Sequence, residues 1–551
     1  MKKLCAALLA AALTAVSALP VSAASFRDVP VGSALASEVQ KAADYRLMGG
    51  YSTDTFGYSD PITRGQFAAV LVRMMAKTMN WDGELPQNPS FSDVPSSHTW
   101  YSVVETALAH DVVDPGGKFR PDMPITRAEM SEMLVRAVGL KGAAAIQEKS
   151  TALPFTDVEA GKGYVAVAYQ IGMTSGTSET TFAPTATATR GQAAAMLVRI
   201  YEKLSHPTEF VHGFYAISSR SQLSLTDGME AVSAGWSRMT WDGTNALLST
   251  TSASGNEYTV PSGYQDVTGY LDASGTPLNL NVYMDVSGGV RELLASDAGR
   301  AAAVEQIVNE LTVSYNAVSK NPYSGVTIDF EGLRAAQKSD FTTFSTVLSS
   351  KVQSLDKSLY ICVSPSLATG SYYDGYDYSA IGALADRVIL MAYDYNTADM
   401  SSFVGTEYYR TAAQAPVDQV YTSLLSAAAQ MGAANQAKLL LGFSSKPMAW
   451  KIDADGKLLS GTPVYPSNET LYQRLRQSNT EKGWSDTYQQ PYAIYTTEDG
   501  SRYFVWYDDN DSVHVKLGAT KLLGLTGVSL WRLGTIPTET DWNWNSLLTT
   551  E

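Results

Sequence analysis

The chain has 551 residues, a formal net charge of −15 and two cysteines. This length exceeds that of one ordinary domain and predicts at least two. The negative charge argues against nucleic acid or anionic lipid as the main partner.

Residues 1–24 have the pattern of a secretory signal peptide. Lys2 and Lys3 precede an apolar run, and Val21-Ser22-Ala23 fits a small-residue cleavage site. The run is short for a membrane span, and no other segment is long and apolar enough to be one. Cleavage would leave Cys362 as the only cysteine, which predicts an exported chain without an intramolecular disulfide.

Two short motifs, Phe-x-Asp-Val and Thr-Arg-x-Glu or Gln, each occur three times in the first part of the chain. The copies begin at Phe26, Phe91 and Phe155 for the first motif and at Thr63, Thr126 and Thr189 for the second. Nearly constant spacing of two separate motifs predicts a tandem array. We place its three modules at residues 25–84, 85–146 and 147–204.

The second motif predicts the start of a helix, because a threonine followed three residues later by Glu or Gln forms a capping box. It also puts an arginine in the first helical turn, where the helix dipole disfavours a cation. All three copies carry this arginine, at Arg64, Arg127 and Arg190. We interpret the three as receptors for a carboxylate or phosphate. The alternative is an ion pair with Asp60 or Asp122 in the arginine's own loop.

The repeats resemble S-layer homology modules, and Thr126-Arg127-Ala128-Glu129 matches that family's pattern best. The other two copies have Gly-Gln in place of Ala-Glu. The resemblance implies an all-α unit that binds pyruvylated secondary cell-wall polysaccharide. Arg64, Arg127 and Arg190 would hold its ketal-pyruvate carboxylates. The protein would then be secreted and attached non-covalently to the cell wall or S-layer.

From residue 208 to residue 551, strand and helix patterns alternate. Strands are predicted at Phe210–Ala216, Ser233–Thr240, Leu278–Met284, Gly325–Phe330, Leu359–Val363, Arg387–Tyr393, Lys438–Phe443 and Thr526–Trp531. The clearest helices between them are Ala301–Val318, Phe341–Leu355 and Val417–Met431. This alternation predicts an α/β fold, a (β/α)8 TIM barrel.

The barrel region is longer than the roughly 250 residues of a typical barrel, so insertions are expected. The largest is predicted at about residues 444–515, between strands seven and eight. Turns at Asp455-Gly456 and Asp499-Gly500 indicate hairpins there, and we expect a small α+β insertion.

The predicted fourth strand ends in two carboxylates, Asp329 and Glu331. Alternate residues of a strand share a face, so both carboxylates point the same way as Thr327, and the apolar neighbours point the other way. In a parallel barrel this polar face opens at the C-terminal rim, where such enzymes keep their chemistry. For this segment alone, the alternative is a salt-bridged or helix-capping acidic pair.

Three strand ends together resemble glycoside hydrolase family 18, the chitinase and N-acetylglucosaminidase barrels. The acidic pair stands at the end of that family's Asp-x-x-Asp-x-Asp-x-Glu motif, in which Ser324 and Thr327 replace the first two aspartates. Met391-Ala392-Tyr393-Asp394 matches Met-x-Tyr-Asp on strand six, and Trp531 matches the tryptophan of strand eight. The segment Tyr503–Asp509 is similar to the branch of bacterial peptidoglycan and spore-cortex hydrolases.

The resemblance implies substrate-assisted retaining hydrolysis, which needs no metal or other cofactor. Glu331 would be the general acid and base, Asp329 would orient the substrate acetamide, and Tyr393 would hydrogen-bond the acetamide oxygen. The residues assigned to substrate binding are Met391, Asp394 and Trp531. Asp394 has the opposite strand parity to Tyr393, so it reaches the site only if the strand bends. A tryptophan at a strand end can equally belong to the core.

The leading hypothesis is a wall-anchored glycosidase that cleaves β-1,4 linkages after N-acetylglucosamine in peptidoglycan or a related N-acetylated glycan. One alternative is a chitinase. Another is a catalytically impaired, lectin-like glycan-binding surface protein, which the replacements at Ser324 and Thr327 suggest. A third is a structural surface-layer protein in which only the repeats matter.

Overall fold

The structure is a computed structural model that describes residues 26–79, 81, 85–150, 153–252, 257–313, 321–367, 374–396 and 399–537. The predicted signal peptide lies outside the described residues. The chain divides into two compact units, Met1–His206 with His514–Gly524, and Pro207–Val513 with Leu525–Glu551. Among the described helices, none combines the length and apolar character needed to cross a membrane.

The first unit is helical. Its described helices, apart from the 514–524 segment, are α1 (Ala36–Asp44), α2 (Arg64–Thr78), α3 (Tyr101–Ala109), α4 (Arg127–Ala137), α5 (Lys141–Ser150), α6 (Lys162–Gln170) and α7 (Arg190–Leu204). The three Thr-Arg motifs start α2, α4 and α7, and each start has a complete capping box. The predicted all-α unit and its capping boxes are confirmed.

Each capped helix docks on the next module. At the start of α2, the backbone N–H groups of Arg64 and Gly65 donate to the carbonyls of Met123 and Pro121, both at 2.9 Å. At the start of α4, Arg127 and Ala128 donate in the same way to the carbonyls of Ala186 and Pro184. At the start of α7, Arg190 and Gly191 donate to the carbonyls of Asp60 and Tyr58. The third module therefore returns to the first, and the three modules close into a ring.

The second unit contains a closed barrel of eight parallel strands. They are β1 (Phe210–Tyr215), β2 (Ala231–Trp241), β4 (Leu278–Met284), β5 (Gly325–Phe330), β6 (Ser358–Val363), β7 (Arg387–Met391), β8 (Leu439–Ser444) and β13 (Gly527–Trp531). A short strand, β3 (Ala246–Ser249), pairs antiparallel with β2. Because β1 pairs with both β2 and β13, the sheet closes, and the predicted TIM barrel is confirmed.

Helices alternate with the barrel strands along the chain. They are α8 (Tyr264–Ser274), α9 (Val290–Ala295), α10 (Asp297–Thr312), α11 (Lys338–Ser354), α12 (Tyr378–Leu384), α13 (Val417–Met431) and α15 (Asn510–Leu522).

Between β8 and β13 the chain forms a four-stranded antiparallel sheet and one further helix. The strands are β9 (Met448–Ile452), β10 (Glu481–Ser485), β11 (Gln490–Thr496) and β12 (Arg502–Trp506), in the order β10-β11-β12-β9, and the helix is α14 (Asn468–Leu475). Gly456 and Gly500 both have φ 81°, as the predicted turns require. The expected α+β insertion is confirmed.

Candidate active site

Strand β5 separates its side chains as its sequence predicts. Phe330 faces outward and stacks on Phe344 of α11, with ring centroids 5.2 Å apart. Thr327 faces inward, because its hydroxyl lies 2.6 Å from that of Ser233 on β2. Asp329 shares this inward face and is 3% exposed, and Glu331 follows it at the end of the strand.

Burial dominates the electrostatics of this pair. It raises the pKa of Asp329, an effect that neighbouring Asn281 and Cys362 partly offset. Burial also raises the pKa of Glu331, and the negative charges of Asp329, Asp285 and Asp394 raise it further. A carboxyl placed in this way stays protonated well above the range of a free glutamate, as a general acid requires.

One oxygen of Asp329 is available to a ligand. Its Oδ1 is buried and has no hydrogen-bond partner within the described ranges. The side-chain amide of Asn281, on the neighbouring strand β4, is also buried and lies close enough to Asp329 to lower its pKa. Buried polar atoms are nearly always hydrogen-bonded, so the unpaired Asp329 Oδ1 has the capacity to accept a hydrogen bond from a polar ligand.

A neutral network takes the place of the inner family aspartate at Thr327. Ser233 lies between the Thr327 hydroxyl and His212 Nε2, at 2.6 and 2.7 Å, and His212 Nδ1 lies 2.8 Å from Ser529 Oγ. Burial lowers the pKa of His212 to about 3, so the imidazole is neutral. Asp329 therefore has no acidic neighbour directly below it with which to share a proton.

The other replaced position, Ser324, lies at the opposite end of the barrel. It precedes β5, is exposed, and its N–H donates to the Leu278 carbonyl at 2.7 Å. The six residues of β5 separate it from Glu331, a span of roughly 20 Å. A serine there leaves the surroundings of the acidic pair unchanged.

The end of β7 brings Tyr393 and Asp394 to the same cavity. The strand ends at Met391, and Asp394 has φ 55°. If the strand continued, Asp394 would point to the opposite face from Tyr393, but the backbone turns at this point. Gln414 donates to Asp394 Oδ1 at 2.8 Å. Burial and the charge of Asp329 raise the pKa of Tyr393, which keeps its hydroxyl protonated as a hydrogen-bond donor.

Two cavities open at this end of the barrel. Glu331, Met391, Tyr393 and Asp394 line one of about 400 Å³. Trp531 lines the other, of about 900 Å³. The structure therefore brings five of the six predicted barrel-site residues to cavity walls, and places Asp329 in the buried interior next to Glu331.

Several residues of this region were not predicted from the sequence. Tyr258 lines the larger cavity, Tyr283 lines the smaller one, and their rings stack with centroids 4.6 Å apart. Asp285, two residues after Tyr283, also lines the smaller cavity. The alternation of β4 contained a signal for these, since Asn279 and Asn281 share the inward parity that Tyr283 and Asp285 continue.

The three repeat arginines lie at the contacts between modules. Arg64 donates to the Phe119 carbonyl and forms an ion pair with Glu129 at 2.9 Å, both in the next module. Arg127 and Arg190 are buried and donate in the same way to the carbonyls of Phe182 and Phe56. Each guanidinium lies over the ring whose carbonyl it bonds, 4.8 to 5.1 Å from the centroid.

These contacts correct the physical basis of the sequence prediction. The first helical N–H groups, expected to face an anion, instead donate to carbonyls of the next module. Within the described residues, the alternative partners Asp60 and Asp122 form no ion pair with these arginines, which instead join one module to the next. Sequence reasoning within one module could not find these partners, because they lie about one repeat away in the chain.

Both parts of the chain match known protein families. The family profile of glycosyl hydrolases family 18 matches residues 186–535, more than half of the chain. The S-layer homology domain profile matches residues 25–68, 90–131 and 154–194, which indicates attachment to the cell surface or S-layer.

Two curated relatives come from Bacillus subtilis (strain 168). The "Putative sporulation-specific glycosylase YdhD" is 27% identical over 260 residues, 47% of this chain and 57% of the relative. The "Cortical fragment-lytic enzyme" is 23% identical over 264 residues, 46% of this chain and 57% of the relative. The chain thus matches a little over half the length of each.

A solved structure has the same fold as the barrel unit. It is the "C-terminal domain of putative chitinase" from Desulfitobacterium hafniense DCB-2, with a TM-score of 0.51 and 22% identity over 62% of this chain and 99% of that one. The family match spans the strand ends that carry Asp329, Glu331, Tyr393 and Trp531. The chain belongs to glycosyl hydrolases family 18 and carries three S-layer homology repeats.

Proposed function

We propose that this protein is a wall-anchored endo-acting glycosidase that cleaves β-1,4 linkages after N-acetylglucosamine in peptidoglycan or a related N-acetylated glycan. The observation that carries the proposal is the pair of adjacent carboxyls, Asp329 and Glu331, held by burial at raised pKa. Two carboxyls on one strand face cannot lie on opposite faces of a sugar ring. Their arrangement suits substrate assistance rather than an enzyme nucleophile.

In the proposed reaction, Glu331 donates its proton to the glycosidic oxygen as the bond to the anomeric carbon breaks. The carbonyl oxygen of the substrate's own acetamide attacks that carbon and forms an oxazolinium ion. Asp329, whose Oδ1 has no partner in the described part of the chain, accepts the acetamide N–H and balances the positive charge. Tyr393 donates to the acetamide oxygen. Water then attacks the anomeric carbon, Glu331 removes its proton, and the acetamide is regenerated.

Trp531 supplies the apolar floor for the acetamide methyl group and the sugar ring. Its ring packs edge-on against Phe214, with centroids 5.0 Å apart, so it is held in place from below. It also packs with Met391 against one cluster of buried side chains at the barrel axis. This shared cluster supports a sugar site that continues from Trp531 to Met391, which lines the smaller cavity.

The product of peptidoglycan digestion tests the proposal. We expect digestion of purified peptidoglycan by the full-length protein to release fragments with N-acetylglucosamine at the new reducing end, identified by mass spectrometry after borohydride reduction. Muramic acid at every new reducing end would mean that the enzyme cleaves after muramic acid, which contradicts the proposal. Cleavage of chitin alone would favour the chitinase alternative, and binding without any cleavage would favour the lectin-like one.

Anchoring is the second part of the proposal. The S-layer homology unit binds pyruvylated secondary cell-wall polysaccharide, with the repeat arginines at the contacts between modules as its anion-recognising groups. The three contacts differ in charge. Arg64 is paired with Glu129, whereas the matching positions of the other modules carry Gln192 and Gln66. No glutamate at that position therefore neutralises the positive charge of Arg127 or Arg190.

We expect the combined change of Arg64, Arg127 and Arg190 to Gln to release the full-length protein from isolated wall sacculi, weakening binding about tenfold or more. Linked sites reinforce one another, so single changes should matter less, and Arg64→Gln least. Sedimentation of sacculi with bound protein measures the effect.

An exposed cation outside these contacts, Arg27, gives the matched control variant Arg27→Gln. Because the arginines also join the modules, thermal unfolding followed by circular dichroism must show that the variant remains folded. A triple change to Lys keeps the charge and separates charge from packing. Binding that survives both the Gln changes and chemical removal of the wall polysaccharide would refute the anchoring proposal.

A further inference from the structure

The larger cavity, of about 900 Å³, contains two cations that the proposed reaction does not use. Lys446 follows β8, and its Nζ lies 3.7 Å from the centroid of the Tyr465 ring. Arg532 follows Trp531 and donates to Ser218 Oγ at 2.8 Å. Neither cation forms an ion pair with a carboxylate in the part of the chain that the structure describes.

The lack of an ion pair is informative at Arg532, which is partly buried, whereas Lys446 is exposed at the cavity wall. Burial lowers the pKa of Arg532, and neighbouring Tyr258 only partly opposes this effect. A partly buried charge is costly unless an opposite charge compensates it. Two acidic residues, Glu257 and Glu469, line the same cavity, but neither is ion-paired with Lys446 or Arg532.

The cavity also has a defined place along the glycan. The residues assigned to the acetamide of the cleaved sugar line both cavities, with Tyr393 in the smaller one and Trp531 in the larger one. The cleaved sugar therefore lies where the two cavities meet. The rest of the larger cavity has room for the sugar next to it. Its volume lies within the range of cavities that enclose ligands.

We propose that Lys446 and Arg532 form an anion subsite for a carboxylate carried by the sugar next to the cleaved N-acetylglucosamine. The chemical class is an acidic saccharide, such as muramic acid with a carboxylate on its lactyl group or on a peptide attached to it. A neutral chitin chain offers no such group. This inference rests on the proposed function and narrows its substrate class from N-acetylated glycans to acidic ones.

Three substrates for the full-length enzyme test the inference. They are a chito-oligosaccharide, an alternating glycan of N-acetylglucosamine and muramic acid with free lactyl carboxylates, and the same alternating glycan with those carboxylates converted to methylamides. We expect kcat/KM to be highest for the free acid and to fall about tenfold on amidation, because a charge-assisted contact is lost.

The variants Lys446→Gln and Arg532→Gln should each lower the ratio of kcat/KM for the acidic glycan to that for its amidated form. Arg532→Lys should keep most of the ratio, which guards against a packing effect of Arg532. The matched control is Lys482→Gln, since Lys482 is exposed on β10, outside the cavity lining. It should leave the ratio unchanged.

The failure of this inference is distinguishable from the failure of the proposed function. If the enzyme cleaves all three substrates equally well, or if the Gln variants lose activity equally on acidic and amidated glycan, the anion subsite is refuted and the glycosidase proposal stands. If no substrate is cleaved, the proposed function fails. Calorimetry then measures the affinities of the protein for the acidic and the amidated glycan. Equal affinities refute the anion subsite independently of catalysis.

Discussion

Replacing Glu331 by Gln is expected to abolish measurable hydrolysis of peptidoglycan, lowering kcat by about 10²–10⁴-fold, the contribution typical of a positioned general acid. Gln keeps the shape of the side chain and removes only the transferable proton. Glu331 lies among the negative charges of Asp329, Asp285 and Asp394, which with burial raise its pKa. A neutral amide is not repelled by these negative charges, so we expect the barrel to remain folded.

The pH dependence of kcat/KM gives an independent measurement. Glu331 must be protonated to act, so activity should fall as pH rises through its raised pKa. Asp329 must be ionised to balance the oxazolinium charge, so activity should fall as pH drops through its raised pKa. Both limbs should lie above the range of about 3.9–4.3 for free carboxyl groups. Asp329→Asn should lower activity and remove the acidic limb.

The control for these changes is Glu305→Gln, an exposed glutamate of α10. It should preserve both the rate and the pH profile. If Glu331→Gln retained wild-type activity in folded protein, another group would have to supply the proton, and the assignment of the general acid would be wrong.

The sequence predicted the barrel well because each strand carries its own local signal. Apolar runs of the right length, separated by helical periodicity, placed β4 and β5 with the bounds that the structure has. Strand parity also predicted that Asp329 and Glu331 face inward, because a side-chain period of two follows from backbone geometry alone.

The remainder could not be predicted from local pattern. Whether Asp394 reaches the cavity depends on a positive φ at one residue, which the strand pattern does not show. The cavity walls at Tyr258 and Tyr283 depend on a ring stack between separate elements. The arginine contacts depend on three modules closing into a ring, and no single module contains that information.

Removing the acetyl group from the sugar at the cleaved bond is expected to abolish cleavage, slowing it on the order of 10³-fold or more. In the proposed reaction the acetamide oxygen is the nucleophile, and an intramolecular nucleophile has a very large effective concentration. Asp329 cannot replace it by attack, because the carboxyl is buried in the barrel interior on the same strand face as Glu331. Chemically de-N-acetylated peptidoglycan glycan, compared with the same material re-acetylated, measures the effect.

A thiazoline analogue of N-acetylglucosamine supplies a second test of the same step. It resembles the cyclic intermediate and should inhibit competitively, and Asp329→Asn should weaken that inhibition, because Asp329 balances the charge of the ring. Re-acetylated glycan controls for damage done during deacetylation. Equal rates on acetylated and deacetylated glycan would mean that an enzyme group forms the bond to the anomeric carbon. Substrate assistance would then be wrong even if Glu331 proved to be the acid.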